Sequence, residues 1–107
     1  MRKVYVVNRN SPSATGHDFS PALHFGEIHF LSEGVMNRYS CNNMHREFSL
    51  KMRGSHEDDY IVPCSLNVMN SIACALFAVK HKRLNLLLYK QGRYIERNLV
   101  FGEGGEI

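Results

Sequence analysis

The chain has 107 residues, of which 44% are hydrophobic and 21% charged, the size and composition of one globular domain. The formal charge of +3 is a mild excess and excludes a polybasic tail. The three cysteines are an odd count, which excludes a paired disulfide framework. No run approaches the roughly 20 apolar residues that span a bilayer, and the opening residues become polar too soon for a signal peptide. We therefore expect a protein of the cytosol, or of the host cytosol if the source is a virus.

The first third of the chain predicts two short strands. Residues 3–8 are mostly β-branched or aromatic and are apolar on both faces, which is typical of a central strand. A polar loop covers residues 9–20, a length typical of functional or mobile connections. Residues 21–25 predict a single helical turn, and residues 27–31 a second strand.

Residues 39–53 predict the first full helix, because apolar side chains recur there at spacings of three and four. Ser40 is the predicted N-cap, and Gly54 is the predicted glycine just beyond the last turn. The stripe that we expect to face the core comprises Cys41, Met44, Phe48 and Met52.

Residues 58–89 contain a short apolar run, a long apolar helix and a second apolar run. This order predicts a strand at 60–62, a helix at 66–81 and a strand at 84–89, that is, two parallel strands joined by a crossover helix. The apolar positions of the helix exceed one stripe, so we expect it to be buried around most of its circumference. Cys74, within it, is expected to behave as a small hydrophobic residue.

The end of the chain predicts a hairpin. Residues 90–92 form a short turn, and residues 93–101 a fifth strand, antiparallel and at the edge of the sheet. Residues 1–101 are therefore expected to form one α/β domain, with a mainly parallel sheet of about five strands, two main helices and a C-terminal antiparallel edge hairpin. The arrangement is Rossmann-like in the loose sense, and residues 102–107 are expected to form a flexible tail.

In open α/β sheets, ligands bind beyond the carboxyl ends of the parallel strands. Here that edge would carry the first turn of the helix at 66–81, whose free N–H groups favour a phosphate or carboxylate. Besides ligand binding, Ser65 has a second interpretation as a helix cap. Arg38 likewise has a second interpretation, as the partner of a nearby carboxylate in a salt bridge. Asn67 and Asn70 either face the crevice or pair with the backbone of a neighbouring loop. The predicted binding residues for an anionic ligand are Arg9, His17, Arg38, Ser65 and Asn67.

Evidence for catalysis in the sequence is slight. His17 and Asp18 are the candidate acid–base pair, and a solvated loop is the alternative interpretation. Cys64, at a helix N-terminus that would lower its pKa, is a candidate nucleophile with His17 as its base. Cys41 and His45 have the spacing of a metal-ligand pair, but no second pair accompanies them, so we expect no metal. The glycine-rich nucleotide motifs are absent, so we expect no cofactor and favour binding without turnover.

Three hypotheses for function follow. The first is a protein that senses or sequesters a small anionic ligand, such as a nucleotide. The second is a viral or accessory subunit for assembly or protein interaction, which associates with itself or another chain through the edge strand at 93–101. The third is nucleic-acid binding through a late basic segment with interleaved tyrosines, for which a solvated surface is the alternative. That segment comprises Lys80, Lys82, Arg83, Tyr89, Lys90, Arg93, Tyr94 and Arg97.

Overall fold

The computed structural model of the protein describes residues 1–9, 19–34, 37, 39–65 and 67–102. The elements follow the predicted order, with ends that differ by one or two residues. The strands are β1 (Lys3–Val6), β2 (Glu27–Phe30), β3 (Tyr60–Val62), β4 (Arg83–Lys90) and β5 (Arg93–Val100). The helices are α1 (Cys41–Lys51), α2 (Asn67–His81) and a 3₁₀ helix (Ser20–His24) between β1 and β2.

The strands form one five-stranded sheet in the order β2-β1-β3-β4-β5. The first four pair in parallel, and β4 pairs with β5 antiparallel. The predicted α/β fold with its C-terminal edge hairpin is therefore confirmed, as is the internal position of β1.

The two faces of the sheet are covered differently. Both α-helices pack on one face, against an apolar cluster that includes Tyr5, Phe48 and Phe77. The 3₁₀ helix and its flanks cover the other face, where Val4, Val62 and Leu87 are buried. Among the described residues, neither α-helix lies on that second face. The hairpin of β4 and β5 forms one side of the sheet, with β5 at its edge.

Polar side chains organise the amino-terminal ends of the strands. Asp59 is 2% exposed, and its carboxylate accepts the backbone N–H groups of Lys3 at 2.9 Å and His56 at 2.7 Å. Asn85, also 2% exposed, donates to the carbonyl oxygens of Glu57 at 2.7 Å and Asp59 at 2.8 Å. These bonds join the starts of β1, β3 and β4, which satisfies buried polar groups that would otherwise destabilise the fold.

The turn between β4 and β5 explains the hairpin's regular register. Gln91 has a φ of 51° and Gly92 a φ of 84°, as a two-residue type I′ turn requires. Lys90 stands opposite Arg93, and the pairing then continues without a break to Arg83 opposite Val100.

The predicted details of α1 are confirmed only in part. Cys41 is exposed, because the stripe of α1 that reaches the core begins only at Met44. Ser40 is the N-cap residue, but its side chain makes no capping hydrogen bond. Gly54 does not adopt a left-handed conformation, since α1 ends earlier, at a C-cap formed by Met52.

The helix α2 is less buried than its composition predicts. One stripe, formed by Met69, Ala73 and Phe77, is fully buried, and Cys74 packs half-buried beside it, as expected of a small hydrophobic residue. Val79 is 80% exposed, because no element of the described chain packs on the outer side of the helix. Apolar composition alone could not show which side of this helix faces the sheet.

Candidate functional site

Two places in the structure combine accessibility with organised chemistry, and the first is the carboxyl edge of the parallel strands. The chain leaves β1 toward β2 on one side and leaves β3 toward β4 on the other, so the strand order reverses between β1 and β3. Such a reversal opens a crevice at the carboxyl ends of the strands. The Cys64 thiol donates to the Asn8 carbonyl oxygen at 3.6 Å, so the ends of β1 and β3 meet at this edge, as predicted.

A cleft of about 510 Å³ lies on the β3–β4 side of this edge. Its lining combines the first turn of α2 with the aromatic side chains of the hairpin, and none of the side chains carries a full charge at neutral pH. The lining residues are Val62, Pro63, Cys64, Ser65, Asn67, Asn70, Leu87, Leu88, Tyr89 and Tyr94. The rings of Tyr89 and Tyr94 meet edge to face with their centroids 5.5 Å apart.

The polar groups at the start of α2 bond to one another. The Ser65 N–H donates to Asn70 Oδ1 at 3.1 Å, and Asn70 Nδ2 donates to the Ser65 carbonyl at 2.9 Å. The Ser65 hydroxyl donates to Met69 Sδ at 3.2 Å. Asn70 therefore pairs with the backbone of the turn before the helix and also lines the cleft, so both of its interpretations hold. Asn67 is exposed and lines the cleft.

Arg9 lies at the same edge of the sheet but makes its contacts on the β2 side. Its N–H donates to the Ser32 carbonyl at 3.0 Å. Its guanidinium lies 3.4 Å from Glu33 Oε1 and 5.1 Å from the centre of the Phe30 ring. Arg9 is not among the residues that line the cleft beside Ser65. His17, Asp18 and Arg38 lie outside the described residues, so their predicted roles stay predictions.

The Cys64 thiol does not have the predicted electrostatics of a nucleophile. Burial raises its pKa, and this effect exceeds the opposing effect of its backbone hydrogen bonds. A thiol with a raised pKa is protonated at neutral pH and is a poor nucleophile. Cys41 and His45 are both exposed on α1. In the part of the chain that the structure describes, no group of three potential metal ligands converges.

The second accessible place is the outer edge of β5, which we call the β5 edge (residues 93–101). The Phe101 N–H donates to the Lys82 carbonyl at 3.0 Å. Because backbone groups alternate in direction along a strand, odd-numbered residues of β5 bond toward β4, and Glu96, Asn98 and Val100 direct their N–H groups outward. No strand of the described chain lies beside them.

Exposed apolar side chains concentrate on the hairpin that presents this edge. Val100 is 73% exposed and Leu99 47%. Leu88 and Tyr89 are also exposed near the tip of the hairpin, and Phe101 at its base. By the alternation of the two strands, Leu88, Leu99 and Phe101 lie on the helix-covered face and Tyr89 and Val100 on the other, so exposed apolar groups flank the edge on both faces.

The late basic residues lie on both faces of the sheet. The Lys80 ammonium donates to the Met52 carbonyl at 3.1 Å and to the Arg53 carbonyl at 2.7 Å, beyond the end of α1. Arg97 pairs with Leu86, on the helix-covered face, whereas Arg83 pairs with Val100 on the opposite face. Nucleic-acid binding through this segment stays a prediction.

Comparisons with known proteins give one result. The family model described as Phage Pam3 gp32-like protein matches residues 2–100. No curated protein and no solved structure shows a significant match to the chain. Within the described residues, no helix has the length and apolar character needed to cross a membrane.

Proposed function

The chain belongs to the Phage Pam3 gp32-like protein family, and from this premise we propose that it is a phage subunit for assembly or protein interaction. A partner polypeptide adds a strand to the β5 edge, so that main-chain hydrogen bonds supply affinity and side-chain contacts supply specificity. The protein acts in the host cytosol, where phage proteins are synthesised, and its action requires no turnover.

The observation that carries this proposal is the length and regularity of the β5 edge. The strand runs for eight residues, and its pairing with β4 has no bulge. Proteins commonly protect an edge strand by keeping it short or by placing a bulge or a proline in it. The opposite edge strand, β2, has four residues, whereas β5 is long, lacks proline and is flanked by exposed apolar groups.

A proline at an outward position tests the proposal. Asn98→Pro removes an N–H that points away from β4, so it blocks strand addition and leaves the hairpin's own ladder intact. We expect roughly a tenfold or greater loss of affinity for partners among the other proteins of the same phage, measured by calorimetry. Asn98→Ala retains the N–H and should bind like the wild type.

An inward proline serves as the opposite control. Ile95 stands opposite Leu88 and bonds toward β4, so Ile95→Pro should unfold the hairpin itself. If Asn98→Pro binds every partner as tightly as the wild type does, strand addition at this edge is not the function.

A second candidate function is small-ligand binding in the cleft beside Ser65, and its position at the carboxyl edge of the parallel strands, next to the reversal of strand order, favours it. The predicted ligand was anionic, but the described lining residues supply no cation. Tyr89 instead supplies an exposed aromatic ring, and Asn67 supplies an exposed side-chain amide. These groups suit the planar base of a nucleotide better than its phosphates.

Titration separates the two parts of such a ligand. We expect a nucleoside to bind more tightly than inorganic phosphate in calorimetry. Asn67→Ala should weaken the binding free energy of the nucleoside by about 1 kcal/mol. Ser71→Ala, at an exposed position one turn along α2, is the control. Binding of phosphate alone with equal affinity would instead support the predicted anion site with Arg9.

A further inference from the structure

We propose that the β5 edge binds a second copy of the same edge, antiparallel, with a twofold axis through Asn98. The inference rests on the proposed function and specifies its partner. The product is a continuous ten-stranded sheet across two chains, because each copy contributes five strands.

The backbone permits this pairing. Glu96, Asn98 and Val100 direct their N–H groups outward from β4, as the bond from the Phe101 N–H to the Lys82 carbonyl shows. With the axis at Asn98, that residue exchanges two hydrogen bonds with Asn98 of the partner subunit. Each Glu96 stands opposite the partner's Val100, which adds further pairs of bonds in the same phase once the exposed Arg97 guanidinium releases the Glu96 carbonyl, to which it donates at 2.8 Å.

Charge selects the axis. A twofold axis perpendicular to the sheet places residues of equal distance from it opposite each other, and like charges in that position repel. An axis at Ile95 brings Arg93 against the partner's Arg97. Axes at Glu96 and Arg97 bring two carboxylates or two guanidinium groups together. An axis at Asn98 opposes no like charges.

The same axis also gives the longest overlap among the registers that avoid repulsion. It pairs residues 95–101 with their counterparts, whereas an axis at Leu99 pairs only residues 97–101. On the helix-covered face it sets Ile95 against the partner's Phe101, an apolar pair that buries one exposed ring.

Light scattering and cross-linking test the proposal on the intact chain. We expect the wild type to have twice the monomer mass of 12.3 kDa and Asn98→Pro to be a monomer. In a Cys41→Ser background, which removes an exposed thiol, Asn98→Cys should form a disulfide-linked dimer, because paired Cα atoms about 5.5 Å apart are within disulfide range. Glu96→Cys should not, because the two copies of this residue lie roughly 14 Å apart along the strands.

Each contrary result is specific. A wild type that stays monomeric at about 1 mM overturns the second copy as partner. If Asn98→Pro then still loses binding to another phage protein, the proposed function stands without self-association. Cross-linking through Glu96→Cys in place of Asn98→Cys overturns the register. A dimer that persists in Asn98→Pro overturns pairing at this edge.

Discussion

At the scale of single residues, Asp59 is the side chain on which the start of the sheet depends. Its carboxylate accepts two backbone N–H groups from different segments, those of Lys3 and His56. Asp59→Ala leaves both donors without their partner in a buried place, so we expect it to lower the free energy of unfolding by about 2–4 kcal/mol in denaturant melts.

The neighbouring carboxylate is the matched control for Asp59. Asp58 is exposed and lies 3.6 Å from the His56 ring, a contact that solvent screens. Asp58→Ala should therefore change the free energy of unfolding by less than about 0.5 kcal/mol. Equal losses in the two variants would contradict a structural role for the buried carboxylate.

His81 makes stability depend on pH. Burial, followed by the charge of Lys80, lowers its pKa below the ordinary value. As the pH falls below about 6.5, the His81 ring therefore becomes protonated in the unfolded chain before it does so in the folded chain. The contribution of His81 to stability is lost on further acidification toward the folded pKa. Above that window the contribution is fully present.

The measurement is a series of denaturant melts from about pH 7 to pH 5. His81→Gln keeps a polar group near Ser55, whose hydroxyl lies 2.8 Å from His81 Nε2, but does not titrate. We expect its free energy of unfolding to fall less steeply with acidification than that of the wild type. An unchanged slope would show that His81 titrates alike in the folded and unfolded chains.

At the scale of elements, α2 shows that apolar residues of one run can differ widely in burial. Phe77 is 1% exposed and Val79 is 80% exposed, although both belong to the same apolar run. Phe77→Ala should lower the free energy of unfolding by about 3–5 kcal/mol, whereas Val79→Ala should change it by less than about 0.5 kcal/mol. Comparable losses in thermal or denaturant melts would mean that the outer side of α2 is covered.

The strands and helices could be predicted from sequence because their periodicity is local. The run that became β1 and the alternation that became β5 carry their signal within a few residues. The side of a helix that faces the sheet is a tertiary property, and the exposed Cys41 shows where a local stripe misleads. The bonds between Ser65 and Asn70 also required the structure, since the sequence left two interpretations of that amide open.

At the scale of the whole molecule, the order β2-β1-β3-β4-β5 places two accessible features at one side of the protein. The uncharged cleft lies at the carboxyl edge, and the hairpin that helps to line it also presents the β5 edge. Parallel pairing of β1 with β3 could be predicted, and it correctly places Arg9 and Ser65 at the same edge. The contact of the Arg9 side chain with Glu33 could not be predicted, because it joins distant segments of the chain.

Amide hydrogen exchange, resolved by residue, tests most directly whether the β5 edge pairs with another strand. Ile95 and Arg97 bond toward β4, so their amides should be protected at every protein concentration. The outward amides of Glu96, Asn98 and Val100 should exchange rapidly in dilute protein and become protected as the concentration rises or a phage partner is added. Outward amides that exchange equally fast under all these conditions would contradict strand addition at this edge.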